Sequence, residues 1–70
     1  MEEVTIKDEF IKLGQALKLA GAVDSGLDAK IEIQNGKVKV NGETDLRRGR
    51  KLVDGDVVTY GSFQFQIKSR

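Results

Sequence analysis

The 70-residue chain has no cysteine and no histidine. Without cysteine there is no disulfide to staple a small fold, no thiolate nucleophile and no cysteine-based zinc site. The same absence fits a reducing compartment. Without histidine, the side chain whose ordinary pKa lies nearest neutrality is unavailable for proton transfer. No apolar run approaches the roughly 20 residues of a membrane-spanning helix, and the opening MEEVTIKDE lacks the basic region of a signal peptide. The composition, 39% hydrophobic and 33% charged, suits a folded chain rather than a disordered one. The expectation is a soluble cytoplasmic protein forming one domain over residues 1–70.

The residues that remain offer no catalytic constellation. Glu2-Glu3 and Asp8-Glu9 are sequence neighbours, and neighbours on a strand or helix do not face one another as a general acid and base must. Asp54 and Asp56 flank a turn glycine without the spacing of a calcium loop. No glycine-rich phosphate loop with its Lys and Ser/Thr is present. Ser25 has no histidine partner and is better explained as a helix cap. The chain reads as a non-enzyme that needs no cofactor and no metal. A sulfur-carrier role would need a C-terminal Gly-Gly, whereas this sequence ends Lys68-Ser69-Arg70.

What the chain does have is charge segregated along its length. Its formal net charge is only +1. Yet Lys37, Lys39, Arg47, Arg48, Arg50 and Lys51 place six cations between residues 37 and 52, against Glu43 and Asp45, a local balance of +4. Residues 1–36 carry four lysines against seven acids, a balance of −3. A concentrated field attracts a polyanion where a dispersed one cancels.

The apolar periodicity divides the chain into elements. Val4 to Ile6 is a short strand-like run. Asp8 can cap a first helix, with Glu9 at its positive end, and Phe10, Leu13, Leu17 and Ala20 form an apolar stripe up to a stop at Gly21. Lys12 points away from that stripe and Lys18 sits beside the exposed face. Ser25 with Asp28 gives the capping box of a second helix. Ala29 and Ile33 on one side, with Leu27 and Ile31 on another, suggest a helix wedged between neighbours, ending at Asn35-Gly36. Val38 and Val40 then alternate with Lys37 and Lys39, which puts two lysines about 7 Å apart on one face of a strand. Asn41-Gly42 is a hairpin turn. Thr44 to Leu52 has no period and reads as a basic loop. Asp54-Gly55 and Gly61-Ser62 are turns around a strand from Asp56 to Tyr60. Phe63, Phe65 and Ile67 mark a last strand with one buried face. The expected class is α+β, two N-terminal helices packed on a small antiparallel β-sheet. Phe10, Phe63 and Phe65 are expected in its core.

In this order the segments FIKLGQALKLAG, SGLDAK, GKVKVNG at Gly36–Gly42 and GDVV at Gly55–Val58 resemble the S-four RNA-binding domain, or alpha-L motif. The resemblance spans about residues 9 to 58 and is nearest to the small free-standing bacterial members that consist of little else. The same domain recurs in pseudouridine synthases, tyrosyl-tRNA synthetases and heat-shock ribosome-binding proteins. It implies the alpha-L fold and binding of structured RNA, ribosomal or transfer, through the two-helix face and the basic loop. By position it implies contacts from Lys12, Lys18, Lys30, Lys37 and Lys39, and from Arg47, Arg48, Arg50 and Lys51 in the loop. Many members have Arg directly after the Ser that heads the second helix, where this chain has Gly26.

Arg presents a planar fork that pairs two phosphate oxygens, and Gly49 lets three arginines follow a bent backbone. The rival expectation is a solvated loop whose arginines pair with Asp45 or Asp54. An alternative function, with the protein otherwise a monomer, is an adaptor that offers the loop to an acidic protein partner, such as a ribosomal one.

Overall fold

The computed structural model describes residues 1–70. In chain order it contains β1 (Glu2–Ile6), β2 (Ile11–Lys12), α1 (Leu13–Leu19), α2 (Gly26–Gln34), β3 (Val38–Val40), β4 (Glu43–Thr44), β5 (Lys51–Leu52), β6 (Val57–Tyr60) and β7 (Phe63–Ser69). Five strands form one sheet in the order β1-β7-β6-β3-β4, and β2 and β5 form a separate two-stranded ladder. No helix is long and apolar enough to cross a membrane.

The sheet is mixed rather than antiparallel as expected. β1 runs parallel to β7, with Val4 opposite Ile67 and Ile6 opposite Ser69, while the pairs from β7 to β4 are antiparallel. Parallel neighbours need a long crossover, and both helices lie within the one that separates β1 from β7. Strand alternation then directs Val4, Ile6, Val38, Val40, Val58, Phe65 and Ile67 into one core with Leu13, Ala16 and Leu17 of α1 and Ala29 and Ile33 of α2. Each large side chain fully buried here stabilises the fold by about 1.5–3 kcal/mol relative to exposure.

The first helix starts later than the apolar stripe suggests. Asp8 does not cap it. Ile11 and Lys12 are extended and pair with Leu52 and Lys51. The helix starts at Leu13 because the loop holds it there: the Leu13 and Gly14 amides donate to the carbonyls of Arg50 and Arg48 at 2.8 and 3.0 Å. These bonds satisfy two amides at the helix start that would otherwise lack partners. Phe10 consequently falls outside the helix and outside the core, 39% exposed. Phe65 is fully buried and Phe63 packs at the core's edge.

The second helix begins as expected, with the Asp28 amide donating to Ser25 Oγ at 3.1 Å. It is not wedged between neighbours. Ala29 and Ile33 are buried, but Leu27 and Ile31 remain 66% and 46% exposed. Its end at Asn35 and Gly36 matches the expectation.

The Asn41-Gly42 hairpin forms with both residues in the left-handed region, φ 53° and 85°, joining Val40 to Glu43. Asn41 also ties this turn to the next. Its side chain donates to Asp56 Oδ1 at 3.1 Å and accepts from the Val57 amide at 2.9 Å. Thr44 to Leu52 is not wholly loop, since Thr44 lies in β4 and Lys51–Leu52 forms β5. Leu52 is fully buried and anchors the segment.

Candidate nucleic-acid interface

The basic segment is built around a carboxylate. Asp45, 5% exposed, accepts from the Arg47 amide at 2.9 Å, Arg47 Nε at 3.1 Å, Arg47 Nη2 at 2.9 Å and Arg50 Nη1 at 2.9 Å. Hydrogen bonding to Arg47, reinforced by Arg50, outweighs the cost of burial and holds the Asp45 carboxyl well below the usual carboxylate range. The same contact raises the Arg47 guanidinium above its ordinary value. Two of the three loop arginines are thus engaged internally, as the solvated-loop expectation had it for Asp45. That turn is a folded object rather than a flexible run.

Arg48 takes no part in this arrangement. Its stem lies across α1 at Gly14, where an added Cβ would sit 2.8 Å from Arg48 Cγ and 3.4 Å from Cδ. Only glycine leaves room for the arginine there. Arg48, Lys12 and Lys18 line one open cleft of about 400 Å³, floored by glycines 14, 26 and 49 and bordered by Gln15. No acidic and no hydrophobic side chain lines it. None of its three cations belongs to any of the four ion pairs, whose basic members are Lys37, Arg47, Arg50 and Lys68. Lys51 is the direct cross-strand partner of Lys12. Directly opposed residues of an antiparallel pair project to one side, and like charges in that relation destabilise. The ladder accepts this repulsion and adds a fourth cation beside the three of the cleft.

The other cations considered from the sequence lie elsewhere. Lys37 is 3.5 Å from Glu32 and borders a second surface hollow with Tyr60 and Phe63. Lys39 is exposed between the buried Val38 and Val40, on the sheet face opposite the helices. Lys30 is exposed on α2 and lines none of the clefts. Arg47 and Arg50 stay with Asp45. The fold therefore gathers Lys12, Lys18, Arg48 and Lys51 into one neighbourhood and does not bring Lys30, Lys37 or Lys39 into that cleft. Gly14 and Gln15 are the cleft residues that sequence reasoning missed. The only available signal was a glycine, a poor helix former, inside an apolar helical stripe.

A two-helix crossover packed on a mixed sheet, with a basic turn clamped to the start of the first helix, defines a compact α+β domain carrying one cleft lined by cations alone among its charged residues. A family model described as S4 domain matches residues 4–68, and the chain belongs to that family. It is 52% identical over 64 residues to "Probable ribosome maturation protein RlbA" of Bacillus subtilis strain 168, covering 87% of this chain and 90% of that protein. It is 38% identical over 61 residues to "Putative RNA-binding protein YbcJ" of Escherichia coli K12, covering 87% of each. The solution structure of the E. coli YbcJ, described as revealing an alpha-L motif involved in RNA binding, superposes with a TM-score of 0.75 at 35% identity. That match covers 97% of this chain and 87% of the other.

Proposed function

We propose that this protein is a non-catalytic RNA-binding protein that docks structured ribosomal RNA in the cytoplasm, in the course of ribosome maturation. The observation that carries the reading is the cleft of Lys12, Lys18 and Arg48, three cations with no counter-charge among the residues around them. The Asp45 carboxylate already neutralises Arg47 and Arg50, so the cations without a counter-charge, Arg48 and the lysines of the cleft, are the stronger partners for an external anion. The B. subtilis relative is named for ribosome maturation and the E. coli relative for RNA binding, and together these names support ribosomal RNA as the class of target. The cleft is open and shallow, which suits the phosphates and 2′-hydroxyls along the wide minor groove of A-form RNA. Recognition is by shape and backbone charge, and the whole chain acts as one domain.

The test is a salt titration against a ribosomal RNA stem-loop. With Lys12, Lys18, Arg48 and Lys51 neutralising three to four phosphates, log affinity is expected to fall against log salt with a slope of roughly −2 to −4. Arg48→Ala, Lys12→Ala and Lys18→Ala each flatten that slope by about one, and Lys39→Ala leaves it unchanged. A flat salt response of the wild type, or equal binding by the Arg48→Ala variant, overturns the proposal.

A further inference from the structure

A second cleft lies across α1 from the first. It is an open hollow of about 620 Å³, between the segment that joins β1 to β2 and the exposed side of the helix. Its apolar walls come from Ile6, Phe10, Ile11 and Leu19. Phe10 and Leu19 are 39% and 61% exposed, an aromatic and an aliphatic surface left open to water inside one concavity. Lys7 and Lys18 give the rim positive charge, while Asp8 and Gln15 offer an acceptor and an amide. Gln15 and Lys18 also border the polar cleft, so the two hollows share a wall. Lys51 stands over the Phe10 ring, its Nζ 4.8 Å from the centroid. The ring is thereby held in place by a cation that belongs to the basic ladder.

We propose that this cleft receives an unpaired nucleobase of the RNA whose backbone lies in the polar cleft, with Phe10 as the surface on which the base stacks. This rests on the RNA reading above and deepens it. Size and lining suit a small planar guest, an apolar hollow of a few hundred cubic ångströms with a few polar groups at its edge. The shared wall decides what kind of guest. A strand whose phosphates are held beside Lys18 presents its next base to the far side of the same residue. An apolar peptide would have to continue from Phe10 into a cleft without a single hydrophobic side chain, whereas a nucleotide matches both, with its base in one hollow and its phosphate in the other. Asp8 and Gln15 are placed to meet the polar edge of the base once it is seated. Stacking itself is indifferent to base identity because every base has a π-face.

The experiment uses two RNA hairpins with the same stem, one fully paired and one carrying a single bulged 2-aminopurine. Wild-type protein is expected to bind the bulged hairpin more tightly, by a factor within the roughly 5- to 150-fold range that base–aromatic stacking supports, and to raise the probe's fluorescence as the base leaves the RNA stack. Phe10→Ala removes both the preference and the fluorescence change. Phe10→Leu keeps apolar bulk at this peripheral position, its fold is checked by thermal unfolding, and it loses most of the preference too. Equal affinity for the two hairpins, or a preference that survives both substitutions, overturns the inference while leaving RNA binding intact. Failure of the wild type to bind either hairpin overturns the RNA reading itself and this inference with it.

Discussion

Replacing Gly26 by arginine tests the polar cleft by adding to it rather than by subtracting. Gly26 is the first residue of α2 and borders the cleft, and a Cβ built there meets no atom within 4 Å. A side chain can therefore leave the backbone at this position without a clash at its first carbon. Two effects on the fold oppose one another. Glycine is about 0.8–1 kcal/mol worse than a good helix former, and a cation at a helix N-terminus costs about 0.3–1 kcal/mol. Stability should be nearly unchanged. On the RNA side, one exposed ion pair with a phosphate is worth about 0.2–1 kcal/mol, which is roughly a 1.4- to 5-fold gain in affinity at moderate salt. The same contact should steepen the salt slope by about 0.7–0.9. Fluorescence anisotropy with a labelled ribosomal RNA stem-loop, at 50 to 200 mM salt, measures both quantities, and thermal unfolding checks the fold. Gly26→Ala controls for helix propensity without charge and should leave the slope alone. If the folded arginine variant binds with unchanged affinity and slope, or more weakly, phosphate does not lie in this cleft and the reasoning fails.

Gly14→Ala should separate binding from stability. The new methyl displaces the Arg48 stem, whose Cγ would lie 2.8 Å away, while the Arg48 carbonyl at 3.7 Å stays in ordinary contact. Melting should shift by less than about 1 kcal/mol equivalent, because alanine improves the helix by a similar amount, yet RNA affinity should fall as far as in Arg48→Ala; retention of wild-type affinity would show that Arg48 is not the contact. Asp45→Asn should cost about 1–3 kcal/mol at neutral pH, since charge-assisted bonds to two arginines are lost and much of the Arg47 side is screened by solvent. Because the Asp45 carboxyl is held low in the folded state, its contribution is complete above the unfolded pKa of about 4 and fades as pH falls below that. Urea unfolding at pH 7 and pH 2.5 should show the gap between wild type and variant closing in acid, and a gap of constant size would contradict the clasp.

The elements that could be read from the sequence were those whose signals are local. The Ser25 cap, the Asn41-Gly42 turn and the alternation of Val38 and Val40 each need only a few adjacent residues, and each appears where expected. What escaped is settled by distant partners. Phe10 fits the stripe of Leu13 and Leu17 by spacing, but Ile11 and Lys12 are drawn into a ladder with residues forty positions away in sequence, and that pairing delays the helix. The parallel partnership of β1 with β7 joins the two ends of the chain and leaves no mark on either segment alone. Leu27 and Ile31 have the spacing of a buried edge although no neighbour is there to cover them. For the interface, charge density singled out residues 37–52, which supply Arg48 to the cleft, while Lys12 and Lys18 come from outside that segment. Charge density could not say which arginine is free, because that depends on where the Asp45 carboxylate points.

The clasp at Asp45 also bears on how readily the surface can be used. A basic tail without structure must surrender its freedom when it meets a partner, and each long side chain frozen at an interface costs about 0.5–1.5 kcal/mol. Here four hydrogen bonds to one carboxylate, from Arg47 and Arg50 on either side of Arg48, have set the curve of the backbone that carries Arg48 before any encounter. The turn meets its target already shaped. On the proposed reading, a single buried negative charge, which in simple electrostatic terms should weaken attraction to a polyanion, instead lowers the entropic cost of binding one.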